Sequence, residues 1–245
     1  MANIAIIGGT GLNSLKGLTI THREMVNTPY GQPSSPLIFG EICGCKVVFL
    51  ARHGSGHTIP PHQVNYRANL WALSESGIKN IIAVAAVGGI RDDMTPGRIV
   101  FPDQIIDYTW SRECTYFEDH EDVRHIDFTY PYCDDIRSLL IEGARKAGLD
   151  PVIDGTYGAT QGPRLETAAE ILRMEKDGCA LVGMTGMPEA ALARELDLCY
   201  ASCSVVANWA AGKNGNIISM DEIEKNVKTG MANVRDLLEH ALPQL

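Results

Sequence analysis

The chain has 245 residues, of which 45% are hydrophobic, and this length and composition fit one large α/β domain over residues 1–245. Its formal net charge of −9 argues against a nucleic-acid partner, because nucleic-acid binding depends on basic surfaces. No apolar run reaches the roughly 18 residues of a membrane-spanning helix, so we expect no membrane partner.

Short apolar runs alternate with segments of helical period along the chain. Several of the runs are apolar on both faces, so we expect a central β-sheet covered by helices. In the last predicted helix, Ser219 and Glu222 match a capping box, and Met220, Ile223 and Val227 begin an apolar stripe. In chain order, the other predictions are strands at 4–7 and 46–50, a helix at 65–76, strands at 80–87 and 98–106, helices at 133–147 and 167–176, a strand at 180–184, a helix at 188–196 and a strand at 199–206.

The cysteines are odd in number and follow no regular framework, and the N-terminus lacks basic residues. These features predict reduced thiols in the cytoplasm and no targeting segment. Two close pairs, Cys43 with Cys45 and Cys199 with Cys203, have an alternative interpretation as metal or redox ligands. Neither pair has a second ligand pair at zinc-site spacing, so we expect packing residues and no metal. The seven are Cys43, Cys45, Cys114, Cys133, Cys179, Cys199 and Cys203.

Groups suited to anion binding follow four of the predicted strands. The Gly-Gly-Thr-Gly run at 8–11 lets backbone N–H groups approach an anion. Arg52 and His53 follow the second strand, small residues at 85–89 end the next, and Met184 and Thr185 end another. Taken alone, the Gly-Gly-Thr-Gly run also fits a dinucleotide-binding fold, Arg52 fits a surface ion pair, and the small residues at 85–89 fit close helix–sheet packing. Ligands of open α/β sheets bind at the carboxyl ends of strands, so the four together favour an oxyanion site.

Taken together, these segments resemble the trimeric purine nucleoside phosphorylase family, which includes the methylthioadenosine phosphorylases. The resemblance implies a nucleoside phosphorylase type of α/β fold, with a mixed, twisted and partly barrel-like sheet, and a homotrimer. It also implies a pentosyltransferase without a metal or organic cofactor, in which phosphate is a co-substrate and yields a free purine and a pentose 1-phosphate. The segments that carry the resemblance are Gly-Gly-Thr-Gly at 8–11, Arg-His-Gly at 52–54, His-Thr-Ile-Pro at 57–60, Val-Asn-Tyr-Arg-Ala-Asn at 64–69, Gly-Pro-Arg at 162–164 and Gly-Met-Thr-Gly-Met-Pro-Glu at 183–189.

The resemblance also assigns site residues by position. Val84 and Ala85 stand where the family often has hydroxyl residues, so we expect one phosphate contact to be missing. The assigned phosphate site comprises Thr10, Arg52, His53, the backbone of Ala86, and Thr185.

Glu166 and Asn208 are the residues that the resemblance assigns to the purine and to catalysis, while Met184 and Leu165 would contact the nucleoside. An ionised Glu166 only accepts hydrogen bonds, whereas Asn208 both donates and accepts. This pair suits a 6-oxopurine, which donates at N1 and accepts at O6 and N7. Methylthioadenosine phosphorylases carry aspartates at the positions of Asn208 and Ala210. This chain has neither aspartate, which again favours a 6-oxopurine.

The predicted pocket for the 5′ end of the sugar is apolar. Met220 occupies the place of a histidine that binds the 5′-hydroxyl in the 6-oxopurine enzymes, and Ile223 lies one turn further on. Such a pocket favours a 5′-methylthio group over a hydroxyl. His125 matches a family histidine that lines this pocket from the neighbouring subunit. Simple helix packing is the alternative interpretation of Met220.

The combined interpretation is phosphorolysis of S-methyl-5′-thioinosine to hypoxanthine and 5-methylthioribose 1-phosphate, a reaction of purine and methylthio salvage. The alternatives are a general inosine and guanosine phosphorylase and a methylthioadenosine phosphorylase. A nucleoside-binding or NAD(P)-binding Rossmann protein would fit the Gly-Gly-Thr-Gly run alone. It would leave Arg52, His53, Glu166 and Asn208 unexplained.

Overall fold

A computed structural model of the chain describes residues 3–12, 17–118, 123–215 and 217–244. Residues 1–2 of the N-terminal segment, for which we predicted no targeting role, lie outside this description. The helices are α1 (Tyr66–Glu75), α2 (Asp134–Lys146), α3 (Ala168–Lys176), α4 (Gly186–Glu195) and α5 (Met220–Ala241). The strands are β1 (Ile4–Gly8), β2 (Thr19–Glu24), β3 (Leu37–Ile42), β4 (Cys45–Ala51), β5 (Asn80–Gly89), β6 (Ile99–Val100), β7 (Gln104–Asp107), β8 (Thr156–Ala159), β9 (Cys179–Gly183) and β10 (Cys199–Trp209).

The strands form one mixed sheet, in the order β2-β3-β4-β1-β5-β9-β8-β7, with β10 pairing β5 and β6. Pairing is parallel between β1 and β4, β1 and β5, and β5 and β10, and antiparallel between β5 and β9. The predicted α/β fold with a mixed sheet is therefore confirmed. The strand pairs found in the described ranges do not close the sheet into a barrel.

Helices cover both faces of the sheet and bury an apolar core on each. On one face, α1 packs against α4, and Leu70 and Leu192 lie fully buried between them and the sheet. On the other face, α2 packs against α5, where Leu140 and Val234 are fully buried. Because β5 is apolar along its length, it can lie between the two layers, as a central parallel strand does.

The predicted strand at 98–106 is wrong in its continuity, since it divides into β6 and β7. Pro102 lies in the gap and has no N–H to donate to a ladder. Sequence reasoning also missed β2, β3 and β8. All six residues of β2 are exposed, so this edge strand lacks the apolar run that marks a strand in sequence.

Two further expectations need correction. Ser219 does precede α5, but its side chain makes no capping hydrogen bond, so the predicted capping box is absent. A capping box forms instead between Thr167 and Glu170 at α3.

Cys133 and Cys199 form a disulfide between the start of α2 and the start of β10. Their Cα atoms are 5.2 Å apart, within disulfide range, so the expectation of seven reduced thiols is wrong. Among the described residues, no helix is long and apolar enough to cross a membrane.

Candidate functional site

A cavity of about 630 Å³ opens at the carboxyl ends of β1, β4, β5, β9 and β10. Its volume lies in the range of small-molecule sites. Eleven of the twelve predicted site residues line it, and His125 is the exception. The eleven are Thr10, Arg52, His53, Ala86, Leu165, Glu166, Met184, Thr185, Asn208, Met220 and Ile223.

Arg52 lies at one end of the cavity, with 1% of its side chain exposed. Its Nη1 donates to the carbonyl of Val84 at 2.9 Å. The backbone at Gly9 can lie this close to Arg52 and Val84 because glycine has no Cβ. A Cβ there would lie 3.0 Å from Arg52 Nη1 and 2.6 Å from the Val84 oxygen. The polar groups around this end, Thr10, His53 and Thr185, come from three different strand ends, as an oxyanion site requires.

Glu189 is the residue of this end whose role the sequence analysis missed. Arg52 donates to both of its carboxylate oxygens, from Nε at 2.6 Å and from Nη2 at 2.8 Å, and the Tyr200 hydroxyl donates to Oε1 at 2.8 Å. Burial by itself would lower the pKa of Arg52, but the Glu189 carboxylate raises it above its ordinary value. With the Val84 bond, Arg52 uses three of its five N–H groups and keeps two for a ligand.

His53 is held in one tautomer beside Arg52. Its Nδ1 lies 2.8 Å from the carbonyl oxygen of Ile59, which only accepts, so Nδ1 carries the hydrogen and Nε2 keeps a lone pair. Burial, followed by the charge of Arg52, lowers the pKa of His53 to about 4. The His53 ring is therefore neutral at pH 7, and its centroid lies 4.7 Å from that of His57.

At the other end of the cavity, the half-buried Glu166 accepts a hydrogen bond from Thr160. The Thr160 hydroxyl lies 2.7 Å from Oε1 of Glu166, which leaves Oε2 for another donor. Thr160 was not among the predicted site residues, since only the folded chain shows that its side chain reaches Glu166. A carboxylate held in this way acts as a fixed acceptor.

Asn208 lies on β10 and lines the same cavity as Glu166. One Nδ2 hydrogen is donated to the carbonyl of Trp209 at 2.7 Å, and the second remains available. The pairing of β10 with β5 shifts register between Val206 and Asn208, and a bulge of this kind re-aims side chains next to active sites. Ala210 is 2% exposed and packs in an apolar cluster with Ile171 and Val182, so the side chain at this position offers no polar group.

Met220 and Ile223 contribute an apolar rim from the start of α5. Met220 is 63% exposed, whereas Ile223 is half-buried. Met220 therefore does not belong to the core stripe of the helix, which argues against simple helix packing. His125 is exposed and lies outside the cavity of this chain, so its delivery by a neighbouring subunit stays a prediction.

Comparisons with known proteins show which family the chain resembles. The family model for the phosphorylase superfamily matches residues 3–243. A probable S-methyl-5′-thioinosine phosphorylase of Pseudomonas syringae pv. tomato is 52% identical over 243 residues, 99% of each chain. A 6-oxopurine nucleoside phosphorylase of Pyrococcus furiosus is 45% identical over 99% of this chain and 93% of its own length. A solved structure, methylthioadenosine phosphorylase from Schistosoma mansoni in complex with adenine, superposes with a TM-score of 0.94 at 32% identity, covering 100% of this chain and 92% of that one.

Proposed function

The chain belongs to the phosphorylase superfamily, and we propose that it cleaves S-methyl-5′-thioinosine with phosphate to hypoxanthine and 5-methylthioribose 1-phosphate. Relatives named as S-methyl-5′-thioinosine and 6-oxopurine nucleoside phosphorylases, at 52% and 45% identity, support the 6-oxopurine class. The observation that carries the choice of base is the Glu166 carboxylate, fixed by Thr160 as an acceptor.

The base preference follows from hydrogen-bond polarity. Glu166 accepts from the N1–H of a 6-oxopurine, whereas N1 of adenine also accepts and would face it lone pair to lone pair. Asn208 has an amide hydrogen left for the O6 and N7 acceptors of hypoxanthine. The Ala210 side chain has no oxygen that could accept from an adenine amino group. Sites built on such a pattern reject the wrong partner strongly, because buried groups are left unpaired.

The preference for a 5′-methylthio group follows from the apolar rim that Met220 and Ile223 form. Met220 and Ile223 offer carbon and sulfur surface, which suits a methylthio group better than a hydroxyl that would lose its hydrogen bonds. We infer a homotrimer in the cytoplasm, in which His125 of one subunit completes the 5′ pocket of the next. No metal or organic cofactor enters this proposal.

The proposed mechanism uses the two ends of the cavity on opposite faces of the sugar. Thr10, Arg52, the Ala86 backbone and Thr185 donate to phosphate, and the neutral His53 accepts at Nε2 from its P–OH group. Met184 and Leu165 contact the nucleoside. The bond from C1′ to the purine breaks with its electron pair leaving on the base, and Asn208 stabilises this negative charge. A phosphate oxygen then bonds to the oxocarbenium-like C1′. The purine anion takes up, through solvent, the proton that the hydrogen phosphate loses.

A general inosine and guanosine phosphorylase is the second candidate. The exposure of Met220 favours it, because a 63% exposed side chain leaves the 5′ end of the cavity open to water and to a hydroxyl. The relative from Pyrococcus furiosus carries the name of that class.

Initial rates with methylthioinosine, inosine and methylthioadenosine, each with and without phosphate, test the proposal. We expect strictly phosphate-dependent cleavage, with the highest kcat/KM for methylthioinosine. Inosine in first place would support the second candidate, while methylthioadenosine in first place would contradict the assignment of Glu166. Cleavage that proceeds without phosphate would contradict phosphorolysis itself.

A further inference from the structure

Arg112 joins the walls of the cavity without lining it. It lies half-buried in the irregular segment that follows β7. Its Nη1 donates to the carbonyls of Met184 at 2.9 Å and Met187 at 2.5 Å, and its Nη2 to those of Thr160 at 3.1 Å and Gln161 at 2.9 Å. Its Nε donates to the side-chain oxygen of Gln161 at 3.1 Å. One guanidinium thus binds five neutral oxygens.

These oxygens belong to two separate loops. Thr160 and Gln161 follow β8 and begin the loop that carries Glu166, and Thr160 is also the donor to that carboxylate. Met184 follows β9 and Met187 lies in the first turn of α4, so the second loop is the junction of β9 and α4 around Thr185. Arg112 therefore ties the loop of the base end to the loop of the sugar end.

Arg112 is also connected, through Tyr66, to a third wall of the cavity. Arg112 Nη1 lies 3.4 Å from the Tyr66 hydroxyl, and its guanidinium carbon lies 5.6 Å from the ring centroid. The Tyr66 hydroxyl in turn donates to the carbonyl of Pro61 at 2.9 Å, and Pro61 lines the cavity. The same side chain is thus coupled to the loop that follows β4.

The number of acceptors explains why this position suits arginine. A guanidinium presents five N–H donors in a rigid plane, whereas an ammonium presents three on a flexible stem. A lysine at Arg112 would leave partly buried carbonyls without a donor, which costs free energy and lets the two loops separate. The effect on catalysis follows because a displacement of about 1 Å can lower the rate about 10²-fold.

We propose that Arg112 is a positioning residue, which sets the distance between the base-binding and sugar-binding loops without touching the substrate. The assignment of these two loops to base and sugar rests on the proposed function. Of the phosphate residues, only Thr185 lies in a segment that Arg112 binds directly, whereas Thr10, Arg52, His53 and Ala86 come from other strands. Loss of the Arg112 bonds should therefore weaken nucleoside binding far more than phosphate binding.

Arg112→Lys tests this, with Arg137→Lys as the matched control. Arg137 also donates to three backbone carbonyls, those of Pro102, Phe101 and Ile153, but it does not line the cavity or contact its loops. We expect Arg112→Lys to raise the KM for nucleoside and the Kd for hypoxanthine by about ten-fold or more, and the KM for phosphate by less than about three-fold. Arg137→Lys should lower the Tm and leave all three constants unchanged.

If Arg112→Lys does not fold, Gln161→Leu is measured instead. It removes the side-chain oxygen that accepts from Arg112 Nε and from the exposed Trp110 N–H, and keeps the four bonds of Arg112 to backbone carbonyls. We expect a smaller change with the same selectivity for nucleoside. Equal changes in both KM values, or a lower Tm with unchanged constants, would overturn the positioning role. Should the wild type prefer inosine or methylthioadenosine, the proposed substrate is wrong, and the same comparison of variants is made with the preferred nucleoside. The two failures are thereby distinguished.

Discussion

Glu166→Gln is the substitution that separates the base-recognition argument from a general loss of function. In the wild type, the Thr160 hydroxyl donates to Oε1 of Glu166 at 2.7 Å. A glutamine would turn its single oxygen toward that hydroxyl, so its NH₂ would face the base. That NH₂ meets a donor on a 6-oxopurine and an acceptor on adenine, so the preference should shift toward the adenine nucleoside.

The magnitude follows from the hydrogen bond that is lost. A hydrogen bond to a charged group contributes about 1.5–3 kcal/mol net, which corresponds to about a 10- to 150-fold change in kcat/KM. Glu166 is half-buried, so we expect methylthioinosine to lose about ten-fold, at the lower end of this range. Activity on methylthioadenosine should rise in the same variant.

The assay compares kcat/KM for the two nucleosides in Glu166→Gln and in the double variant with Thr160→Val. Without the Thr160 hydroxyl, the glutamine is free to present its oxygen to N1–H, so the double variant should regain part of the lost activity on methylthioinosine. Thr160→Ser keeps the hydroxyl and is the control. A ratio of the two substrates that stays within about two-fold in Glu166→Gln would refute the reasoning, because a lost charged hydrogen bond must exceed that change.

Four further predictions concern other parts of the site. Asn208→Asp replaces a donor by a negative charge where negative charge develops, so kcat with methylthioinosine should fall about 10²-fold; an unchanged kcat would remove Asn208 from the transition state. Met220→His should raise kcat/KM for inosine relative to methylthioinosine, and an unchanged ratio would place the 5′ group elsewhere. Glu189→Gln leaves the buried charge of Arg52 unpaired, so urea denaturation should show a loss of about 3–5 kcal/mol; wild-type stability would contradict the role of this pair. His53 has a folded pKa of about 4 against an ordinary 6.5, so the unfolded chain takes the proton first. The contribution of His53 to the free energy of unfolding should be fully present above pH 6.5. It should be lost, by about 3 kcal/mol, as the pH falls from 6.5 through 4, at 1.36 kcal/mol for each pKa unit. His53→Gln should remove this pH dependence.

The sequence alone predicts the central strands and the position of the cavity, because one physical pattern determines each of them. The runs that became β1 and β5 are apolar on both faces, and only a covered central strand accommodates that pattern. Parallel strands end at the same edge of a sheet, so residues far apart in sequence, such as Thr10 and Asn208, meet in one cavity.

The sequence was insufficient where the decisive partner is remote. Glu189 is 137 residues from Arg52, and Cys133 is 66 residues from Cys199, so neither pairing has a local signal. Arg112 gives no pattern in sequence, since its partners are mostly backbone carbonyls that exist at every position. Edge strand β2 is exposed throughout and lacks apolar alternation.

The most direct test of the central claim is a competition between methylthioinosine and methylthioadenosine at equal concentration with phosphate in one vessel. The initial ratio of hypoxanthine to adenine equals the ratio of the two kcat/KM values. We predict hypoxanthine in excess by at least about 10²-fold, since adenine would leave buried groups of the site unpaired. Equal amounts of the two bases, or an excess of adenine, would contradict it.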